Sequence, residues 1–320
     1  MKIYLIFILS LLAPSVIFCQ SLREDYDSKA KVADSLYNLK DYKNAVLKYS
    51  MLFKENGDLG YIDDRYKVAC AWAIIGEPDS SLYQLFRIAT KAKYDDYEKI
   101  TNDPLLETLH RLEQWNKLLN IINENKREKE KNYNKYLISI LDTIFEEDQK
   151  YRLQIKSVRE KYGANSEELN ALFENISMKD SINLLKVINI LDNYGWLSPD
   201  IIKDKGNTTL FLVIQHADLT TQMKYLPLLR EAVRTGKAES SALALLEDRI
   251  DLQQGKCQVY GTQIEFDSIT QVYYIPSLCD PINVDKKRQE AGLEPISEYV
   301  KAWNITWDIK TYVKKQKEGN

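Results

Sequence analysis

LFLVIQHADLTTQMKYLPLLREAVRTGKAESSALALLEDRIDLQQGKCQVYGTQIEF, Leu210 to Phe266, is the stretch whose reading decides the fold of this chain. Its opening apolar run is short enough for a strand or the front of a helix. Helix is the preferred reading, because QMKYLPLLREAVRTG continues it as an amphipathic helix closed by Gly236, with Pro227 as a kink or restart. His216 and Asp218, two positions apart, cannot share a helix face. If Asp218 instead caps a helix beginning at Thr220, His216 becomes the last residue of its own element, exposed at a tip. In SALALLEDRIDL, Asp248 and Arg249 follow an apolar run. A guanidinium there requires a carboxylate partner or a bound anion, with Asp148, Asp218, Glu265 or a substrate group as candidates. Gly255-Lys256 then turns into CQVYGTQIEF, which alternation reads as a strand with Gln258 and Tyr260 on one face. Gly261 marks a bulge or a close approach that lets Gln263 rejoin them. The partner strand is Thr270 to Pro276, reached by a turn at Asp267-Ser268.

Working outward, a helix is predicted from about Tyr136 to Lys161, ended by Tyr162-Gly163, with Asp148 and Arg152 as an i,i+4 pair. A second runs from Asn183 to a stop at Gly195, where Trp196 plugs the core, and a polar loop follows to Thr208. Downstream, DKKRQEAG closes a short helix at Gly292 and carries Arg288, a second candidate anion donor. Another helix starts at Leu293-Glu294-Pro295, with Ile296 and Tyr299 packing back on the core. Trp303, Trp307 and Tyr312 read as anchors of the terminal helix. Residues 123–135, rich in mixed charge, read as a solvated helix face or linker and are taken as the domain boundary.

From Ser28 to Asn56 the pattern is a helical hairpin, and small residues recur 36 positions on (Ala33 to Ala69, Ala45 to Ser81). That lies near the roughly 34-residue period of a tetratricopeptide repeat, whose hairpins must stack to bury their apolar faces. Asp103-Pro104 starts a capping segment, in which His110 has no chemical role. Residues 1–19 read as a signal peptide, with Lys2, the apolar run Ile3 to Leu12 and cleavage after Cys19. A lipidated Cys19 is disfavoured by bulky Phe18. The mature chain is therefore expected in the periplasm or outside the cell.

The net charge of −3, with no basic face interleaved with aromatics, speaks against nucleic acid. No later run is long and apolar enough to span a membrane. Two histidines and no C-x-x-C argue against a zinc site, and neither metal nor cofactor is expected. Cys70 sits on an apolar helix face. Cys257 and Cys279 bracket the expected strand pair and could bridge, or remain buried thiols.

In this order, DQKYR, LDNYGW, IQHAD, LEDR, GKCQVYGTQ and DKKRQEAGLEPISEY resemble a bacterial domain family of unknown function, DUF6624, over about Tyr136 to Tyr299. The family's recurring polar residues fall on Asp148, Arg152, Gln215, His216, Asp218, Asp248, Arg249, Gln258, Tyr260, Gln263 and Arg288. Where members commonly carry Trp-Pro, this chain has Trp196-Leu197. The resemblance implies no substrate or reaction.

The expected fold is mainly α: tetratricopeptide-like hairpins over 20–122, then an α+β domain over 136–320 with a small antiparallel β-hairpin. Function reads first as a binding protein, its repeats docking a protein or peptide and its polar cleft taking a peptide or small anionic ligand. The alternative is a hydrolase or lyase. His216, with Asp218 and Arg249, would be catalytic, while Asp148, Arg152, Gln215, Gln258, Tyr260, Gln263 and Arg288 bind substrate. A third reading makes the same charges a structural ion network.

Overall fold

Short loops force consecutive helices to lie side by side in the first part of the chain. The computed structural model describes residues 13–267 and 270–318. It divides into two units between Lys131 and Asn132. Residues 1–12 of the expected signal peptide lie outside the described residues. Those from 13 onward open the first helix.

The first unit contains α1 (Ala13–Asn38), α2 (Tyr42–Glu55), α3 (Ile62–Ile74), α4 (Pro78–Lys91), α5 (Tyr97–Asn102), a 3-10 turn (Pro104–Leu109) and α6 (Glu113–Glu130). Asp41 caps α2 by accepting from the Asn44 amide, which fixes the α1–α2 turn. Ala33, Ala45, Ala69 and Ser81 are fully buried where paired helices meet. The Ser81 hydroxyl donates 2.7 Å to the Ala69 carbonyl, which satisfies the one polar group at that contact. Asp103 caps the 3-10 turn, and the chain breaks before α6, so the capping segment is two elements. His110 stacks on Trp115 with ring centroids 4.7 Å apart.

Of the two readings of the charged run over 123–135, the structure takes the helix as far as Glu130, the end of α6, and the units divide just beyond it. Buried Asn125 explains this, its amide donating 2.7 Å to Ala89 O and 3.0 Å to Tyr94 O.

The second unit contains α7 (Lys135–Arg152), α8 (Ile155–Tyr162), α9 (Glu167–Tyr194), α10 (Pro199–His216), α11 (Leu219–Arg234) and α12 (Ser240–Gln253). The hairpin β1 (Glu265–Asp267) with β2 (Val272–Tyr274) follows, then α13 (Val284–Glu290), α14 (Ile296–Tyr299) and α15 (Ile309–Glu318). Leu141, Ile144, Val187, Ile190, Leu210, Ile214 and Leu229 form the core between α7, α9, α10 and α11, with Trp196 sealing one end. Thus the chain is mainly helical, with one two-stranded antiparallel hairpin among the described residues. None of its described helices is long and apolar enough to cross a membrane.

Three expectations are corrected here. The segment before Thr208 is helix with a kink at Lys203 (φ 62°, ψ 167°), not a polar loop. Pro199 starts α10, Gly206 allows close packing (an added Cβ would lie 3.2 Å from Leu141), and buried Asn207 donates to the Leu197 and Lys237 carbonyls. Secondly, the helix expected from Asn183 begins at Glu167, capped by Ser166.

Thirdly, Cys257 to Gln263 is not a strand. One carboxylate, Asp248, accepts from the amides of Val259 (2.6 Å), Tyr260 (3.1 Å) and Thr262 (3.0 Å). Successive amides in a strand point to opposite sides, so a shared acceptor curls the segment into a loop. Gly261, at φ 65°, allows the close approach of Ile296 and Leu278. The actual hairpin pairs Phe266 with Tyr273, and Ser268 of its expected turn lies outside the described residues. Cys257 and Cys279 are bonded, with Cα atoms 5.0 Å apart.

Candidate functional site

Three helices converge on His216. α10 ends there because Ala217 is extended (φ −73°, ψ 173°) and Asp218 starts α11, accepting 2.7 Å from the Thr221 amide. α7 brings Asp148, almost wholly buried at 2% side-chain exposure, with Oδ1 3.0 Å from His216 Nδ1. An ionised carboxylate can only accept, so Nδ1 carries a proton, and in the neutral imidazole Nε2 then keeps a free lone pair. Nε2 has no protein partner among the described residues, and His216 lines a cleft of about 330 Å³.

The carboxylate beneath it is held firmly. Gln149 donates 2.7 Å to Asp148 Oδ2, and Arg152 Nη1 lies 3.2 Å from Oδ1. Burial pushes the Asp148 carboxyl up, but the bond and charge of His216, then Arg152, outweigh it and hold the group below its usual range.

Asp180 of α9 completes the group, accepting 2.7 Å from Arg152 Nη2. It was missed because the helix bearing it was expected to begin at Asn183. Its burial follows only from α9 packing on α7. A single acid in the polar run SMKDS otherwise reads as a solvated face. Asp148, Asp180 and His216 offer ligand atoms within 4.8 Å of one another, a spacing that could hold a metal ion. Arg152 already bridges both carboxylates, so a divalent cation would have to displace a guanidinium.

The expected site therefore separates into two groups. Asp148, Arg152, His216 and Asp218 come together at the cleft, joined by Asp180. Asp248, Gln258, Gln263 and Arg288 instead hold the 257–263 loop. Gln258 is fully buried and donates to the Gln263 and Pro276 carbonyls while accepting from the Gln263 amide. Its amide therefore closes the loop from within. Arg288, also fully buried, donates 2.6 Å to Glu294 O and 2.8 Å to Tyr260 O and lies over the Tyr299 ring. Tyr260 enters this loop through its backbone, and its half-buried ring is raised in pKa chiefly by burial, with Glu247 and Asp248 adding. The Gln258, Gln263 and Arg288 side chains brace the loop.

Arg249 connects the two groups: Nε donates 3.1 Å to Gln263 Oε1, and Nη1 donates 3.0 Å to the carbonyl of Gln215, the residue before His216. Burial, then the positive charge of Arg152, lowers its pKa. The Gln215 side chain is buried and turned toward α12, where it donates weakly to Leu245 O.

A larger hollow, about 730 Å³, lies elsewhere in the unit between β2 and α15, lined by Tyr273, Trp307 and Tyr312 among others. The Tyr312 hydroxyl is already bonded to Pro276 O and the Leu278 amide. No histidine lines this hollow, so the smaller cleft is the better candidate for proton chemistry.

A buried carboxylate behind an imidazole at a helix tip, within a mainly helical unit, defines a domain with a candidate acid–base site. The chain belongs to the family described as a family of unknown function (DUF6624), matching it over residues 137–312, more than half its length. No curated protein and no solved structure matches it.

Proposed function

We propose that the second unit is an acid–base enzyme of the hydrolase or lyase kind, with His216 taking and returning the proton. One observation carries this: buried Asp148 engages Nδ1 and leaves Nε2 to the cleft. In hydrolysis, Nε2 accepts a proton from water as the oxygen attacks and returns it to the leaving group. In a lyase step, it takes the proton from carbon while the leaving group departs. Either way Asp148 fixes the tautomer and stabilises the imidazolium that forms. Ser177 and Ser181 line the same cleft and offer hydroxyls to orient a polar substrate.

The test is a panel of chromogenic esters, amides and phosphodiesters, together with β-elimination substrates. On whichever is turned over, His216→Ala and Asp148→Asn each lose about 10²–10⁴-fold in rate, the range for general acid–base catalysis. Full activity in His216→Ala would sink the proposal.

A second reading, an anion-binding role, is favoured by Arg249. Its guanidinium has no carboxylate partner among the described residues, and it lies in the field of Arg152. In that case inorganic phosphate raises the melting temperature of the wild type and not of Arg249→Met. An equal rise in both removes Arg249 from the reading.

For the rest of the chain, the proposal is export under a signal peptide over 1–19 and docking of a protein or peptide on tetratricopeptide-like hairpins. The Cys257–Cys279 disulfide supports an oxidising compartment. The stacked helix pairs and the 36-residue recurrence support the docking module. N-terminal sequencing of the protein recovered from the periplasm or medium tests the first. A retained residue 1 overturns it.

A further inference from the structure

We infer that Gln222 is a positioning residue for His216, acting through the backbone on both sides of it. This rests on the reading of His216 as the proton-transferring group. Gln222 is 1% exposed, one turn into α11. Its single Nε2 donates 3.0 Å to the carbonyl of Gln215 and 2.9 Å to that of Ala217. These are the residues immediately before and after His216. The last carbonyls of a helix have no intrahelical donor and must be met by side chains, water or a following turn. Here one buried amide meets two of them, which leaves the His216 peptide planes little freedom to rotate.

The amide is itself oriented. Gln222 Oε1 accepts 3.1 Å from Gln253 Nε2 of α12, which fixes which end of the side chain is the donor. Arg249 Nη1 adds a second bond to the Gln215 carbonyl. Asp218, by capping α11, sets the helix direction that brings Gln222 back over the tip of α10. Asp218 thereby contributes to placement, and its carboxylate need not touch a reacting atom. The imidazole thus sits between two constraints: Asp148 on its ring, and Gln222 on its backbone.

The experiment uses the full oxidised chain with nitrogen-labelled histidine, the two histidine signals being assigned with His110→Gln. Wild-type His216 shows the Nδ1–H tautomer with a slowly exchanging proton, and Asp148→Asn abolishes it. Gln222→Met is expected to broaden the same proton signal or speed its exchange with water. The charged groups around the imidazole, Asp148 and Arg152 of α7, Asp180 of α9 and Asp218, are unchanged in that variant.

Tyr225→Phe is the control for simple loosening of α11, because it cuts the bond that ties this helix to Asp192 of α9. It lowers stability and leaves the His216 signals as in wild type. If Gln222→Met does not fold, Gln222→Leu, which likewise removes the donor without adding a charge, is read in the same way. Unchanged His216 signals in a folded Gln222 variant overturn the inference alone. Absence of the Nδ1–H tautomer in wild type, or no response to Asp148→Asn, overturns the proton-transfer reading beneath it.

Discussion

Asp148 and Asp248 lie in the same unit, each on a helix and each almost wholly out of solvent, at 2% and 0% exposure. Asp248 spends its carboxylate on the backbone: three amides and the Thr262 hydroxyl converge on it, and a seven-residue segment folds around the charge. Asp148 spends its own on side chains, Gln149, Arg152 and the imidazole of His216, at the edge of an open cleft. In the first arrangement none of the partners titrates. The second is attached to a group that can. The electrostatics differ accordingly: burial holds the Asp248 carboxyl above its usual range against the bonds it accepts, whereas at Asp148 the imidazole and guanidinium overcome burial. Burial of an acid therefore does not mark a site. The titratability of its partner does.

Asp248→Ala is the sharpest way to break this contrast. It strands three amides and a hydroxyl, at about 1–3 kcal/mol for each buried group left unpaired. Relaxation recovers part of that, so the expected loss is about 4 kcal/mol in urea unfolding. A change below about 1 kcal/mol would mean that the loop is held by something else.

Next in size is the disulfide that staples this loop to residue 279. Cys257→Ser with Cys279→Ser opens a link with a sequence separation of 22 and costs about 3 kcal/mol by chain entropy. Equal melting with and without reductant would remove the staple from the account.

Asp148→Asn is expected to cost about 1.5–3 kcal/mol at neutral pH, as for hydrogen bonds to a charged group. Its pH dependence gives the cleaner separation. With a folded pKa below the ordinary 3.8, Asp148 contributes stability above that value and loses it as pH falls through the folded pKa. The gap between wild type and Asp148→Asn should therefore close on acidification. For Asp248, whose folded pKa is raised, ionisation opposes folding, and its cost enters as pH rises through 3.8 toward the folded value. Parallel pH profiles for Asp148→Asn and Asp248→Asn would erase the distinction drawn between the two.

The smallest effect concerns the cleft's own cation. Arg152→Met leaves Asp148 and Asp180 without their shared guanidinium, so Zn²⁺ or Mn²⁺ should raise the melting temperature of that variant more than that of wild type. A larger metal response in the wild type would show that the guanidinium does not compete for the position.

Much of this was written along the chain. Apolar spacing marked α11, α12 and the start of α7, although the single helix expected as far as Lys161 breaks after Arg152 and resumes as α8 at Ile155. Gly195 and Trp196 marked the end of α9 and its plug, and Asp218 marked a cap that leaves His216 at a helix tip. Those features are local: spacing, capping and chain reversal depend on residues within a few positions of one another. The alternation in QVYGTQ was local too, and it misled, because the acceptor that curls those residues lies on α12, at residue 248.

By itself, the sequence determined a mainly helical protein, the position of its hairpin to within a few residues, and which polar residues deserved notice. Only the tertiary structure decided how they divide. Packing α7 and α9 against α10 put Asp148 against the imidazole and added Asp180, while packing α12 and α13 against the loop turned Gln258, Gln263 and Arg288 inward. The physical reason is that a charge or an amide does not choose its partner from its neighbours in the chain. It takes whichever donor or acceptor burial leaves within about 3 Å.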